Sequence, residues 1–259
     1  MFNRFTYNLP LYNENPDGFS ALPTTVSDSG ATRSPFGHTV VVAPTALVFI
    51  YQSGGSDGLV YRVSSDGGQT WGAPRSISSR TSVYASAVVN YATNDIHIVY
   101  SAHGTPLSAG DTGVYYRPLI WDATAQDWVT GAEQILAGDG SLYDPDVADR
   151  RNAVISANPN GRLVITYLRN SAGVITWSAL ISKTVWAVAD MYVDVDLGVI
   201  ADEDTRGAGQ QTRSGTTDLL WLVSHTGSTY SLARALLFDP LSTADAIDAS
   251  IADTWLGDS

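Results

Sequence analysis

Cysteine is absent from the 259-residue chain, which excludes disulfide staples, thiol nucleophiles and zinc sites with sulfur ligands. Lysine occurs once, as Lys183, and glutamate three times, as Glu14, Glu133 and Glu203. Bases number 14 against 26 acids, for a net charge of -12. A site that wraps a phosphate backbone needs a concentrated positive field, so nucleic acid is excluded as a partner. The longest apolar runs, 39–42 and 46–51, fall far short of the roughly 20 residues of a membrane helix, so no membrane insertion is expected. His38, His97, His103 and His225 show no i, i+4 pair, and no histidine metal site follows. Met1 is followed by no apolar signal core, so synthesis in the cytoplasm without a signal peptide is expected.

What the chain does have is turn chemistry. Of its 26 acids, 23 are aspartate, and 23 glycines and 11 prolines accompany them. Aspartate competes with the backbone for hydrogen bonds and favours turns, whereas the scarce Lys and Glu favour helices. With 44% hydrophobic residues there is enough to bury a sizeable core. The composition reads as all-β, with short strands joined by many loops.

One pattern recurs four times. Apolar runs 46–51 (ALVFIY), 96–100 (IHIVY), 163–167 (LVITY) and 219–223 (LLWLV) are each followed by a polar stretch and then a second strand-like run. The second runs are 58–64 (GLVYRVS), 113–119 (GVYYRPL), 173–180 (GVITWSAL) and 229–236 (TYSLARAL). Shorter runs precede three of the pairs, at 38–42, 86–89 and 147–156, and a segment with a large apolar residue (Trp71, Trp128, Trp186, Ile247) follows each pair. A four-strand unit at a period of roughly 50 to 65 residues is the mark of a β-propeller. The expectation is four-stranded antiparallel blades, four of them visible, with room for a fifth. Residues 1–36 do not match the repeat and read as an extended N-terminal lead-in, an attachment arm, before a propeller domain at 37–259.

Between the third and fourth strands of the first repeat, residues 64–71 read Ser-Ser-Asp-Gly-Gly-Gln-Thr-Trp. The physics is that of a turn: Asp66 can accept from loop amides, Gly68 can take a positive φ, and Trp71 can pack between sheets. The segment fits Ser-x-Asp-x-Gly-x-Thr-Trp, and with it the chain resembles the Asp-box (BNR-repeat) sialidase-like propellers. Weaker echoes stand at 121–128 and 182–186, each keeping its tryptophan. The resemblance spans roughly residues 37–250, and in that family the box is a structural loop away from the substrate face. Ser64, Asp66, Gly68, Thr70 and Trp71 are therefore assigned a structural role.

The same resemblance implies what a sialidase needs: three arginines on a carboxylate, a tyrosine nucleophile beside a glutamate, and an acidic aspartate. Arg33-Ser34-Pro35 lies near the place of the first clamp residue without its motif, and Arg62 and Arg117 fall at matching repeat positions that favour a structural role. Arg206 and Arg213 lie in a Gly-rich stretch. For a two-carboxylate hydrolase, Asp146 and Glu203 are the candidates, from the acid pairs Asp144-Pro145-Asp146, Asp194-Val195-Asp196 and Asp202-Glu203-Asp204. Those oxygen clusters leave calcium as an alternative, although no Asp-x-Asp-x-Asp-Gly loop is present; otherwise no cofactor or metal is expected. Tyr84, Tyr91 and Tyr143 stand near the starts of repeats, where an exposed ring could stack on a sugar.

The missing clamp motif and the scarcity of glutamate favour a non-enzymatic module, with a sialidase-like glycoside hydrolase as the alternative. The resemblance extends to propellers of phage particles that are made in the host cytoplasm. The expectation is a virion structural protein (tail, tail fibre or head decoration). Its expected partners are other virion subunits in a homo-oligomer and host-surface carbohydrate.

Overall fold

The computed structural model describes residues 38–53, 58–80, 82–102, 113–138, 141, 143–144, 149–157, 161–171 and 173–194. It also describes the backbone of 208–212, 218–226, 229–237 and 247–253. The lead-in 1–36, Asp146 and Glu203 lie outside these residues.

The described chain is all-β and folds as four consecutive antiparallel meanders. Sheet 1 is β1 (His38–Val42), β2 (Leu47–Gln52), β3 (Leu59–Ser64) and β4 (Arg75–Ser78). Sheet 2 is β5 (Ser82–Asn90), β6 (Asp95–Ala102), β7 (Gly113–Asp122) and β8 (Asp127–Thr130), with β9 (Gln134–Ala137) continuing the outer edge along β7. Sheet 3 is β10 (Asp149–Ala157), β11 (Leu163–Ser171), β12 (Val174–Ser182) and β13 (Met191–Asp194). Sheet 4 is β14 (Ala208–Thr212), β15 (Asp218–Thr226), β16 (Thr229–Leu237) and β17 (Ile247–Asp253). The C-terminal segment thus supplies the fourth strand of sheet 4 rather than part of a further sheet.

The recurring apolar runs become the second strands because those strands are covered on both faces. In β6, Ile96, Ile98 and Tyr100 face the cluster shared with sheet 1, while Val99 faces the one shared with sheet 3. The first strands lie side by side, β1 by β5, β5 by β10 and β10 by β14. Side chains, rather than a β-ladder, bridge several of these approaches. Thr39 Oγ1 donates to the Ala85 carbonyl at 2.8 Å, and Ser86 Oγ accepts from the Ile155 amide at 3.2 Å.

The fourth strands do not start at the tryptophans. Trp71 precedes β4, and Trp186 lies in the connection before β13 at φ 53°. Only Trp128 is on its strand, where it meets Trp121 edge-on at 4.6 Å across the β7–β8 hairpin. A meander places two kinds of connection at opposite ends of each sheet. The turns after the first and third strands share one end, here the turn end. The links after the second strands and the crossings between sheets share the other, the crossing end.

Candidate functional site

The 65–74 connection, at the turn end, closes on itself through its polar side chains. Asp66 Oδ1 accepts from Ser64 Oγ at 2.7 Å and from the Thr70 amide at 2.9 Å, and Oδ2 accepts from Thr70 Oγ1 at 2.5 Å. Ser64 Oγ in turn accepts from the Gly68 amide at 2.7 Å. Gly67 and Gly68 take φ of 72° and 93°, a left-handed pair that glycine adopts without steric cost. Trp71 packs edge-on against Phe49 at 5.9 Å. The Thr70 hydroxyl and amide, with Ser64, hold the Asp66 carboxyl well below the usual range. An acid fixed in that way is an acceptor, not a proton donor.

Toward the crossing end, two carboxylates sit in ionic clusters, each beside the tyrosine of a second strand. At the seam of sheets 1 and 2, Glu133 accepts from Tyr100 Oη through a short bond, from Ser78 Oγ at 2.9 Å and from Arg80 Nε at 2.9 Å. The Arg80 guanidinium lies 4.2 Å over the Tyr115 ring. Burial pushes the Glu133 carboxyl up, but the bonds from Tyr100, Arg80 and Ser78 outweigh it and leave it below its ordinary value. Burial, and then the Glu133 bond, push the Tyr100 hydroxyl up.

In sheet 3, Asp144 and Arg150 form an ion pair at 2.8 Å, with side chains only 3% and 1% exposed. Asp144 Oδ2 also accepts from Tyr167 Oη at 3.0 Å and lies 3.7 Å from Arg169 Nε, while the Asp144 carbonyl accepts from the second arm of Arg150. Burial again raises the carboxyl, and Arg150, Tyr167 and Arg169 bring it below the usual range. Next to Arg150 the first strand bulges between Arg151 and Val154, with Asn152 left-handed at φ 53°. The bulge frees the Ala153 amide to donate to Ser101 Oγ of sheet 2 at 3.0 Å.

The tyrosines singled out in the sequence do not gather at one place. Tyr84 is near the crossing end of β5, and Tyr91 follows β5 at the turn end. Tyr91 is 65% exposed and donates to the Val42 carbonyl at 3.3 Å. Tyr143 precedes Asp144 on the crossing to sheet 3 and donates to the Val188 carbonyl at 2.6 Å. Arg62 and Arg117 serve the sheets: Arg62 donates to Tyr51 Oη at 2.9 Å, and Arg117 to the carbonyls of Gly131 and Ile77. Among the described residues no three His, Asp or Glu side chains come together as metal ligands.

Asp144 was named from sequence as one of an acid pair, but neither cluster as a whole was singled out. Its signal was the tyrosine closing each run, Tyr51, Tyr100 and Tyr167, which in all three sheets bonds an arginine or a carboxylate.

No family model matches the sequence, and no curated protein does. Solved structures do match the fold. "Hadza microbial sialidase Hz136" superposes with a TM-score of 0.54 at 13% identity over 77% of this chain. The chain spans only 44% of that sialidase. The endo-arabinase from Bacteroides thetaiotaomicron VPI-5482 gives 0.52 at 13% identity, over 84% of this chain and 79% of that one. Both neighbours are β-propeller glycoside hydrolases, and the described antiparallel sheets of this chain superpose on theirs. At such identity the likeness concerns the backbone alone, and residue roles must come from this chain's own geometry.

Proposed function

We propose that this chain is a non-catalytic, sialidase-like propeller module that binds surface carbohydrate. The supporting observation is the state of the described carboxylates in the two ionic clusters. Glycoside hydrolysis needs an acid that keeps its proton near neutrality, in a site that raises its pKa. Glu133 and Asp144 are instead held below the ordinary range by arginine and tyrosine donors. They serve as anchors between and within the sheets. We further propose that the module works as a repeated subunit of a phage particle. That setting rests on the resemblance of the 64–71 turn and the four-strand repeat.

A glycan array probed with the purified chain, followed by a reducing-sugar assay on each bound glycan, tests the reading. Binding without release of product supports it. Turnover would establish the hydrolase alternative, and loss of that turnover in Asp146→Asn or Glu203→Gln would assign the acids. Mass spectrometry of purified phage particles tests the setting. The chain should appear in constant ratio to the major structural proteins.

A further inference from the structure

His97 is buried at the seam of sheets 2 and 3, 5% exposed, and the chemistry of the described clusters makes no use of it. Its Nδ1 shares a 2.7 Å hydrogen bond with Tyr116 Oη, and its Nε2 is buried with no hydrogen-bond partner. The ring lies against Trp186 of sheet 3, with centroids 5.2 Å apart and planes inclined at 33°. With Tyr116 Oη donating to Nδ1, a neutral imidazole leaves one group, the Nε2–H, unsatisfied, whereas the other tautomer strands the Tyr116 hydrogen as well as Nε2. A protonated ring is worse placed. Both nitrogens become donors, the Tyr116 hydrogen must find another acceptor, and Nε2 carries part of a buried positive charge.

Among the described residues no neighbour is ready to accept that charge. Val88 and Pro118, opposite His97 on the flanking strands, are apolar. Asp95, on the same strand, has both oxygens engaged: Oδ1 accepts from the Trp121 amide at 2.8 Å and Oδ2 from Thr93 Oγ1 at 2.7 Å. On the sheet 3 side, Lys183 and Asp190 pair with each other at 2.8 Å.

The element covering His97 carries a strained residue at the contact. Trp186 is held left-handed at φ 53°, a conformation that is strained for a residue with a side chain. It stays there because its amide donates to the Gly161 carbonyl at 2.7 Å and its indole rests on the Gly161 α-carbon. We propose that His97 is a proton-operated latch: on protonation it drives the 183–190 connection, with Trp186, off the seam between sheets 2 and 3. Burial, against a smaller opposing pull from Asp95, holds the imidazole down at about 4 in the closed state, whereas in water it would titrate near 6.5. Opening is therefore favoured as pH falls through that window.

Hydrogen exchange of the full chain, read by mass spectrometry on peptides covering 183–190 and corrected for intrinsic rates, tests the latch. Protection there should fall by about tenfold for each pH unit between roughly 6.5 and 4, while peptides of β2 and β3 keep theirs. In His97→Gln the fall should vanish. Carbon-labelled histidine NMR on the unmodified chain gives a second reading that needs no variant, since His97 should titrate together with the loss of protection. Unchanged protection of 183–190 down to pH 4, or the same fall in His97→Gln, overturns the latch.

Discussion

At the scale of single residues, the carboxylates with the strongest claims on their neighbours are those that hold the structure. Asp66 accepts three bonds within its own turn, so Asp66→Ala should lower the melting temperature while leaving far-UV circular dichroism and glycan binding intact. Its folded pKa lies below the unfolded value, so its contribution is fully present above about 3.9 and is lost as pH falls further. Acid unfolding of Asp66→Ala should be shallower than that of the natural chain below that pH. Asp144 has the same sign and a larger stake, because it neutralises the fully buried Arg150. Asp144→Asn should cost about 3–5 kcal/mol in urea unfolding, since it removes the carboxylate that neutralises a buried guanidinium. Replacing both partners with apolar residues should cost less than Asp144→Asn alone. The turn around Asp66 was legible in the sequence because its partners are local. The Asp144–Tyr167 pair was not, because its partners are 23 positions apart and meet only where the crossing before β10 folds against β11.

At the scale of elements, the apolar runs ending in tyrosine fell on the buried parts of β2, β6 and β11, since burial on both faces leaves a continuous hydrophobic signal. β14 stayed hidden for the converse reason. Its sequence Ala-Gly-Gln-Gln-Thr carries almost no apolar mark and passed for a Gly-rich stretch. Trp71 and Trp186 misled as strand markers, because a large ring half-buried over a turn gives the same sequence signal as one within a strand. Connections also differ in what they tolerate. Gly58 has φ 72°, and a Cβ there would stand 2.1 Å from the Ser78 carbonyl oxygen, whereas Gly173 at φ 88° has nothing within 4 Å. Gly173→Ala should cost about 1 kcal/mol from backbone strain alone. Gly58→Ala should cost clearly more, because β4 must move, and urea midpoints of the two variants would separate the terms.

At the scale of the whole molecule, the seams rest on apolar burial. The Arg75–Asp127 bridge between sheets 1 and 2 is short, 2.6 Å, but its side chains are 44% and 35% exposed. Arg75→Ala should cost no more than about 1 kcal/mol, whereas Ile98→Ala, fully buried in the same seam, should cost about 2–5 kcal/mol. Reversing that order in urea unfolding would mean that charge, not burial, joins the sheets. The repeat made the sheet order legible from sequence, because each meander is written as one continuous stretch. The seams were less so, since the contacts that form them join residues some 46 to 69 positions apart. That same layout bears on synthesis. Each sheet completes its hydrogen-bonded pairing within its own stretch of chain, so a nascent chain can assemble one sheet before the next has left the ribosome. Each first strand then docks onto a finished neighbour. Folding becomes a queue of short-range events, which keeps bare strand edges brief and aggregation low.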